Sequence, residues 1–348
     1  MEIRLPELDW SHYERASRHL DNLTKPKGSL GYLEEIARRY VLITEDHEPD
    51  LPLKKRVYVF AGDHGVVEEG VSTYPQEVTR QMIYNFLSGG AGINVIARQA
   101  GAEVFVVDVG VAGEVEAEGL IRRKICYGTR NLAKEPAMSR EEAEKAIRVG
   151  MELAEEAAKE GVKLLIPGDM GIGNTTPSAC LICHFLREAP EKIVGRGTGV
   201  DDEGLAHKIE VVRQALTLHQ PKDPVEALAA FGGAEIGAIT GLFLGGARHR
   251  VPVVVDGFIS LAGFLTARAL APGLENYIFC GHVSAENGAR VILEKLKLRP
   301  IVDLEMRLGE GTGAALASMI IETALRIYRE MATFDGAGVA RGKEFEQS

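Results

Sequence analysis

Residues 163–176 read K-L-L-I-P-G-D-M-G-I-G-N-T-T, and the fold of the whole chain is read outward from them. The run Leu164 to Pro167 is short, apolar and closed by a glycine, and the stretch after Thr176, P-S-A-C-L-I-C-H-F-L, is apolar over helical length. A buried strand, a tight turn and a helix in that order are the repeating unit of an α/β fold. Gly168, Gly171 and Gly173 let the turn take positive φ and let a ligand approach the backbone. The N–H groups free at a helix start favour an anion. Asn174, Thr175 and Thr176 are candidates both to cap that helix and to hold phosphate oxygens. An ordinary strand-to-helix turn has the same outline, but glycines, hydroxyls and the acid Asp169 coincide at one strand end, which favours a ligand site.

The same pattern recurs along the chain. Short β-branched runs at 56–61, 103–109, 251–255, 277–280 and 301–304 join 163–167 as expected strands, with helical periodicity between them. Strands that alternate with helices predict a six-stranded, mainly parallel sheet covered on both faces. Right-handed crossovers then bring every strand's C-terminal end to one edge. Asp63 and His64, Asp108, Asp169, Asp256, His282 and Glu310 all fall at or just beyond such ends. A second glycine-rich loop, V-G-R-G-T-G, occupies 194–199. Ser29 is expected to cap a helix over 33–43, Ser139 opens the capping box S-R-E-E, and Asp201 or Asp202 caps a helix over 205–218 that carries Lys208. Lys25 and Lys27 flank Pro26 in a loop; the expectation is solvation, the alternative an anionic ligand. The polar tail 336–348 is expected to be disordered.

Composition narrows the function. A formal net charge of −10 and a pI near 5.5, with no basic aromatic stripe, argue against a nucleic-acid binder. No apolar segment is long and clean enough to span a bilayer, and the N-terminus lacks a signal-peptide core, so a cytoplasmic protein is expected. Cys180 and Cys183 form a C-x-x-C beside His184, but inside an apolar helical pattern with no second pair spaced for zinc, so packing is expected rather than metal binding. There is no G-x-x-x-x-G-K-[ST], and G-R-G-T-G-V at 195–200 does not match a dinucleotide-binding glycine motif. Ser178 is not in a G-x-S-x-G elbow. The adjacent acids Asp201 and Asp202 follow a glycine loop rather than an apolar strand, which counts against a magnesium–diphosphate site. Neither a metal nor a cofactor is expected.

Taken together, the motifs resemble a known family. K-P-K-G-S-L-G-Y-L-E at 25–34, G-D-H-G-V at 62–66, G-V-S-T-Y-P-Q-E-V-T-R-Q-M at 70–82, G-D-M-G-I-G-N-T-T at 168–176, G-T-G-V at 197–200, D-G-F-I-S at 256–260 and L-G-E-G-T-G-A-A-L-A at 308–317 are similar, in order and over nearly the whole chain, to nicotinate-nucleotide:dimethylbenzimidazole phosphoribosyltransferases. The resemblance implies a doubly wound large domain over 49–313, a small helical domain from 1–48 and 314–348, and a homodimer. The activity it implies is transfer of the 5-phosphoribosyl group of nicotinate mononucleotide to 5,6-dimethylbenzimidazole, a step in making the lower ligand of cobalamin. It casts Glu310 as the general base, with Asp169 as a second catalytic candidate, although the family commonly has Glu there and the shorter acid reaches less far. It casts Gly171, Gly173, Asn174, Thr175 and Lys208 as the phosphate and ribose site, and Tyr74, Gln81, Met82 and Leu308 as the benzimidazole pocket. Read alone, Glu310 is equally a helix-capping acid, and the apolar set is equally core. A nucleotide-binding regulatory protein, or another nucleotide-using enzyme at the same sheet edge, is the alternative; a base speaks against a pure binder.

Overall fold

The computed structural model describes residues 3–197 and 199–340. Among them, seven strands form one parallel sheet: β1 Lys55–Gly62, β2 Ala102–Gly110, β3 Leu120–Arg122, β4 Leu164–Met170, β5 Val253–Val255, β6 Ile278–His282 and β7 Pro300–Val302, in the order β3-β2-β1-β4-β5-β6-β7. Six lie where the apolar runs place them. The seventh is β3, whose three residues pair with Val106, Val107 and Asp108 of β2. Three residues carry no period of their own; the open edge of β2 makes them a strand.

The central strands are buried along their length, as both faces of a parallel sheet require. On one face, helices Arg140–Lys159 and Ala234–Arg248 cross almost backbone to backbone. A Cβ on Gly150 would lie 1.9 Å from the Ala238 carbonyl oxygen, so glycine is what permits that crossing. The chain builds outward from β1 through β2 to β3, then returns to the other side of β1 with β4 and builds away through β7. The turns after β1 and β4 therefore diverge and open a crevice at the switch point.

The chain ends meet beside this sheet. Helices Trp10–Asp21 and Tyr32–Thr44 pack together, Thr312–Glu330 packs on the second, and Leu23 bridges to Thr333. Two local expectations fail here. The second helix starts after Gly31, not at Ser29, because Glu34 reaches back to accept the Leu30 N–H at 3.1 Å. The same carboxylate holds Lys25 at 2.7 Å, both side chains buried, so Lys25 is neither solvated nor free for an anion. Lys27 is exposed and pairs with Asp21. Ser139 forms its capping box, and Asp201 rather than Asp202 caps the helix Asp202–Leu218. The first two residues of the expected disordered tail, 336 and 337, end a short helix, Phe334–Ala337, and residues 341–348 lie outside the described residues. No helix of the described residues is long and apolar enough to cross a membrane.

Candidate active site

A cavity of about 530 Å³ opens at the switch point, lined by the turns after β1, β4, β5, β6 and β7. That is the size of a small-ligand site. Its floor is the turn after β4, where Gly171, Asn174 and Thr175 all line it. Asn174 occupies the N-cap position but makes no capping bond. Its backbone is helical (φ −62°, ψ −18°) rather than extended as a capping residue's is, and its side-chain NH2 donates to Asp169 Oδ2 at 2.9 Å. Gly173 does not line the cavity; at φ 88° it packs against Val67. The turn is tied to the opposite wall by the Ile172 N–H, which donates to Thr79 Oγ1 at 3.1 Å.

Lys208, on the helix Asp202–Leu218, stands behind this floor and is not itself among the lining residues. Its Nζ is buried and donates to Thr175 Oγ1 at 2.9 Å. Burial pushes its ammonium down to about 8, with the nearby Glu286 charge opposing that fall. A buried ammonium next to a helix start suits a phosphate. Arg307 closes this end, donating to the Gly197 carbonyl at 3.0 Å.

Glu310 sits at the other end, after β7. Gly309, Glu310 and Gly311 all have positive φ (79°, 62° and 88°). For glutamate that conformation costs on the order of 1–2 kcal/mol, so the surroundings must impose it. Asp256, fully buried after β5, accepts the Gly311 and Ala314 N–H groups at 3.2 and 2.8 Å and anchors the turn to the helix that follows. Glu310 Oε2 accepts the Ile93 N–H at 3.0 Å, at the start of helix Gly92–Ala100. Burial holds the Glu310 carboxyl above the usual carboxylate range; the Ile93 N–H works against that rise and the Asp256 charge adds to it. Asp169 is pushed further, to about 8, by burial and by the Asp256 charge.

Beside Glu310 the wall is apolar. Tyr74, Val78, Met82 and Leu308 line it on one side, Phe258 and Ile259 on the other. Gln81 is exposed on its helix and is not among the lining residues. Cys180 and Cys183 lie in a buried helix as free thiols, away from the cavity lining.

Not every polar strand end faces the cavity. His64 turns under the floor to Glu235 at 2.6 Å, Asp63 accepts the Ala112 N–H, and Asp108 pairs with Lys124. Conversely, Ser284, Glu286 and Arg307 line the cavity although sequence reasoning gave them no role. Ser284 and Glu286 stand in the polar run G-H-V-S-A-E after β6, and that position was the available signal.

A family model described as phosphoribosyltransferase matches residues 5–339. The chain is 56% identical over 332 residues to the nicotinate-nucleotide–dimethylbenzimidazole phosphoribosyltransferase of Geotalea uraniireducens, covering 94% of each chain. The chain belongs to that family. It is equally 56% identical over 331 residues to the Geobacter sulfurreducens protein of the same name, again with 94% of each covered. Its fold superposes on the crystal structure of CobT from Thermus thermophilus with a TM-score of 0.91 at 50% identity, over 95% of this chain and all of that one.

Proposed function

We propose that this chain transfers the 5-phosphoribosyl group of nicotinate mononucleotide to 5,6-dimethylbenzimidazole, giving α-ribazole 5′-phosphate and nicotinate by a single inverting displacement. The observation that carries the reading is the placement of Glu310: a buried carboxylate above its usual pKa, held at a strained turn, beside an apolar wall. The donor's glycosidic nitrogen is a pyridinium, so the bond electrons leave onto a cation and the leaving group needs no acid. The acceptor is a neutral imidazole ring that must lose its N–H proton as the other nitrogen bonds C1′. One base is therefore the main demand, and a raised carboxylate pKa suits it to take that proton.

In this reading Met82, Leu308 and Tyr74 flank the flat bicyclic acceptor so that its N–H meets Glu310. Lys208, Thr175 and the turn from Gly171 to Asn174 at the helix start hold the 5′-phosphate. Asp169, fixed by Asn174 and mostly protonated at neutral pH, donates at the ribose rather than competing as base. The family's homodimer, its split into a large domain over 49–313 with a helical one from the two ends, and a cytoplasmic location belong to the same proposal. The test is direct: the purified chain mixed with both substrates should release free nicotinate and form a phosphorylated benzimidazole riboside, and release of neither would refute it.

A further inference from the structure

We infer that Glu286 reads the ribose hydroxyls of the donor and makes the site selective for a ribosyl over a deoxyribosyl group. This rests on the transferase reading above. Glu286 follows β6, is 7% exposed and lines the cavity. Its backbone is fixed: the N–H donates to Ser284 Oγ at 3.3 Å and the carbonyl accepts the Ala289 N–H at 3.0 Å. The side chain lies flat on the 195–197 loop; a Cβ on Gly195 would be 1.7 Å from Oε2, so only glycine leaves room for the carboxylate there. Among the described residues that carboxylate has no hydrogen-bond or ion-pair partner, whereas Asp169, Asp256 and Glu310 each accept a protein N–H.

That carboxylate lines the cavity with no protein donor among the described residues, so its donors come from a ligand or from water in the cavity. The donor's phosphate and its ring carboxylate are both anions and repel it. The acceptor's one N–H is claimed by Glu310. What remains is the ribose 2′,3′-diol, whose two O–H donors suit the two oxygens of one carboxylate in charge-assisted hydrogen bonds. The position agrees, since Glu286 shares its wall with Gly197 and Thr175 near Lys208, the proposed phosphate end, and ribose is attached there.

The experiment compares nicotinate mononucleotide with its 2′-deoxy and 3′-deoxy forms on wild type, Glu286→Gln and Glu286→Ala, by kcat/KM for nicotinate release and, in parallel, by calorimetric Kd. The ratio of ribo to deoxy donor within each variant, compared across variants, cancels the different intrinsic reactivity of the sugars. For at least one deoxy donor the wild-type ratio should exceed that of Glu286→Ala by ~10²-fold, the scale on which a site built for a hydroxyl rejects its absence being this or larger. Glu286→Gln should lie between, while Lys208→Ala lowers all donors together and leaves the ratio alone. Equal ratios in wild type and both variants would overturn the inference and leave Glu286 as a counter-charge to Lys208. A wild type that binds the donors with the expected ratio yet releases no nicotinate would refute the transferase reading and not this one.

Discussion

Replacing Gly168 by alanine tests whether the position of Glu310, and not merely its presence, sets the rate. Gly168 lies in β4 with its Cα turned to the Glu310 turn; a Cβ there would stand 2.4 Å from the Glu310 carbonyl oxygen and 2.8 Å from its carbon. An ordinary contact begins near 3.4 Å, so the carbonyl must retreat by about 1 Å (3.4 − 2.4), and displacement of that order in a catalytic group costs roughly 10²-fold in rate. The chemistry of the base is untouched, and Gly168 has no positive φ, so the effect is steric. The assay is kcat for nicotinate release in a double-mutant cycle with Glu310→Gln. If Gly168→Ala acts through the base, it slows the wild type by roughly 10² and the Gln variant by only a few-fold, since parts of one catalytic unit are not additive. A wild-type kcat in Gly168→Ala, or the same fractional loss in both backgrounds, would refute the reasoning. Thermal denaturation of all four proteins separates a shifted turn from a weakened strand.

Glu310→Gln alone should lower kcat by at least ~10²-fold with donor Kd nearly unchanged. In wild type the acid limb of kcat/KM should lie above the ordinary carboxylate range, because a raised pKa keeps the base protonated to higher pH, and this limb should vanish in the Gln variant. Lys208→Ala should weaken nicotinate mononucleotide and barely change nicotinate riboside, which lacks the phosphate; equal losses would place Lys208 elsewhere. Since burial lowers the Lys208 pKa to about 8, its charge is present below that pH and lost above it, so kcat/KM for the phosphorylated donor should fall through about pH 8 and the riboside should not follow. Turnover should survive exhaustive EDTA treatment, because a pyridinium leaving group quenches positive charge and needs no Mg²⁺ to neutralise a diphosphate; activity lost on chelation and restored by Mg²⁺ or Zn²⁺ would remove that argument.

The sequence by itself determined the class of fold and the place of the site. Short, β-branched apolar runs between helical periods read as strands buried on two faces, so a parallel sheet and a polar C-terminal edge followed from residues such as Val57–Ala61 and Leu164–Ile166. The turn after β4 was legible because glycine and hydroxyl are local signals, whereas Lys208 entered the site only through the family resemblance. Tertiary structure decided everything that depends on distance. β3 exists because β2 offers an edge. Lys25 is buried because Glu34 turns back to it, and Asn174 makes no cap because its own backbone is already helical, its NH2 donating to Asp169. His64 and Asp63 fall beneath the floor, although nothing local separates them from Asp169 or His282. The balance at Glu310 could not be struck from sequence, since an N–H at a helix start lowers a carboxyl pKa and burial raises it. Only the folded chain, with Ile93 and Asp256 both within reach, makes burial the larger effect.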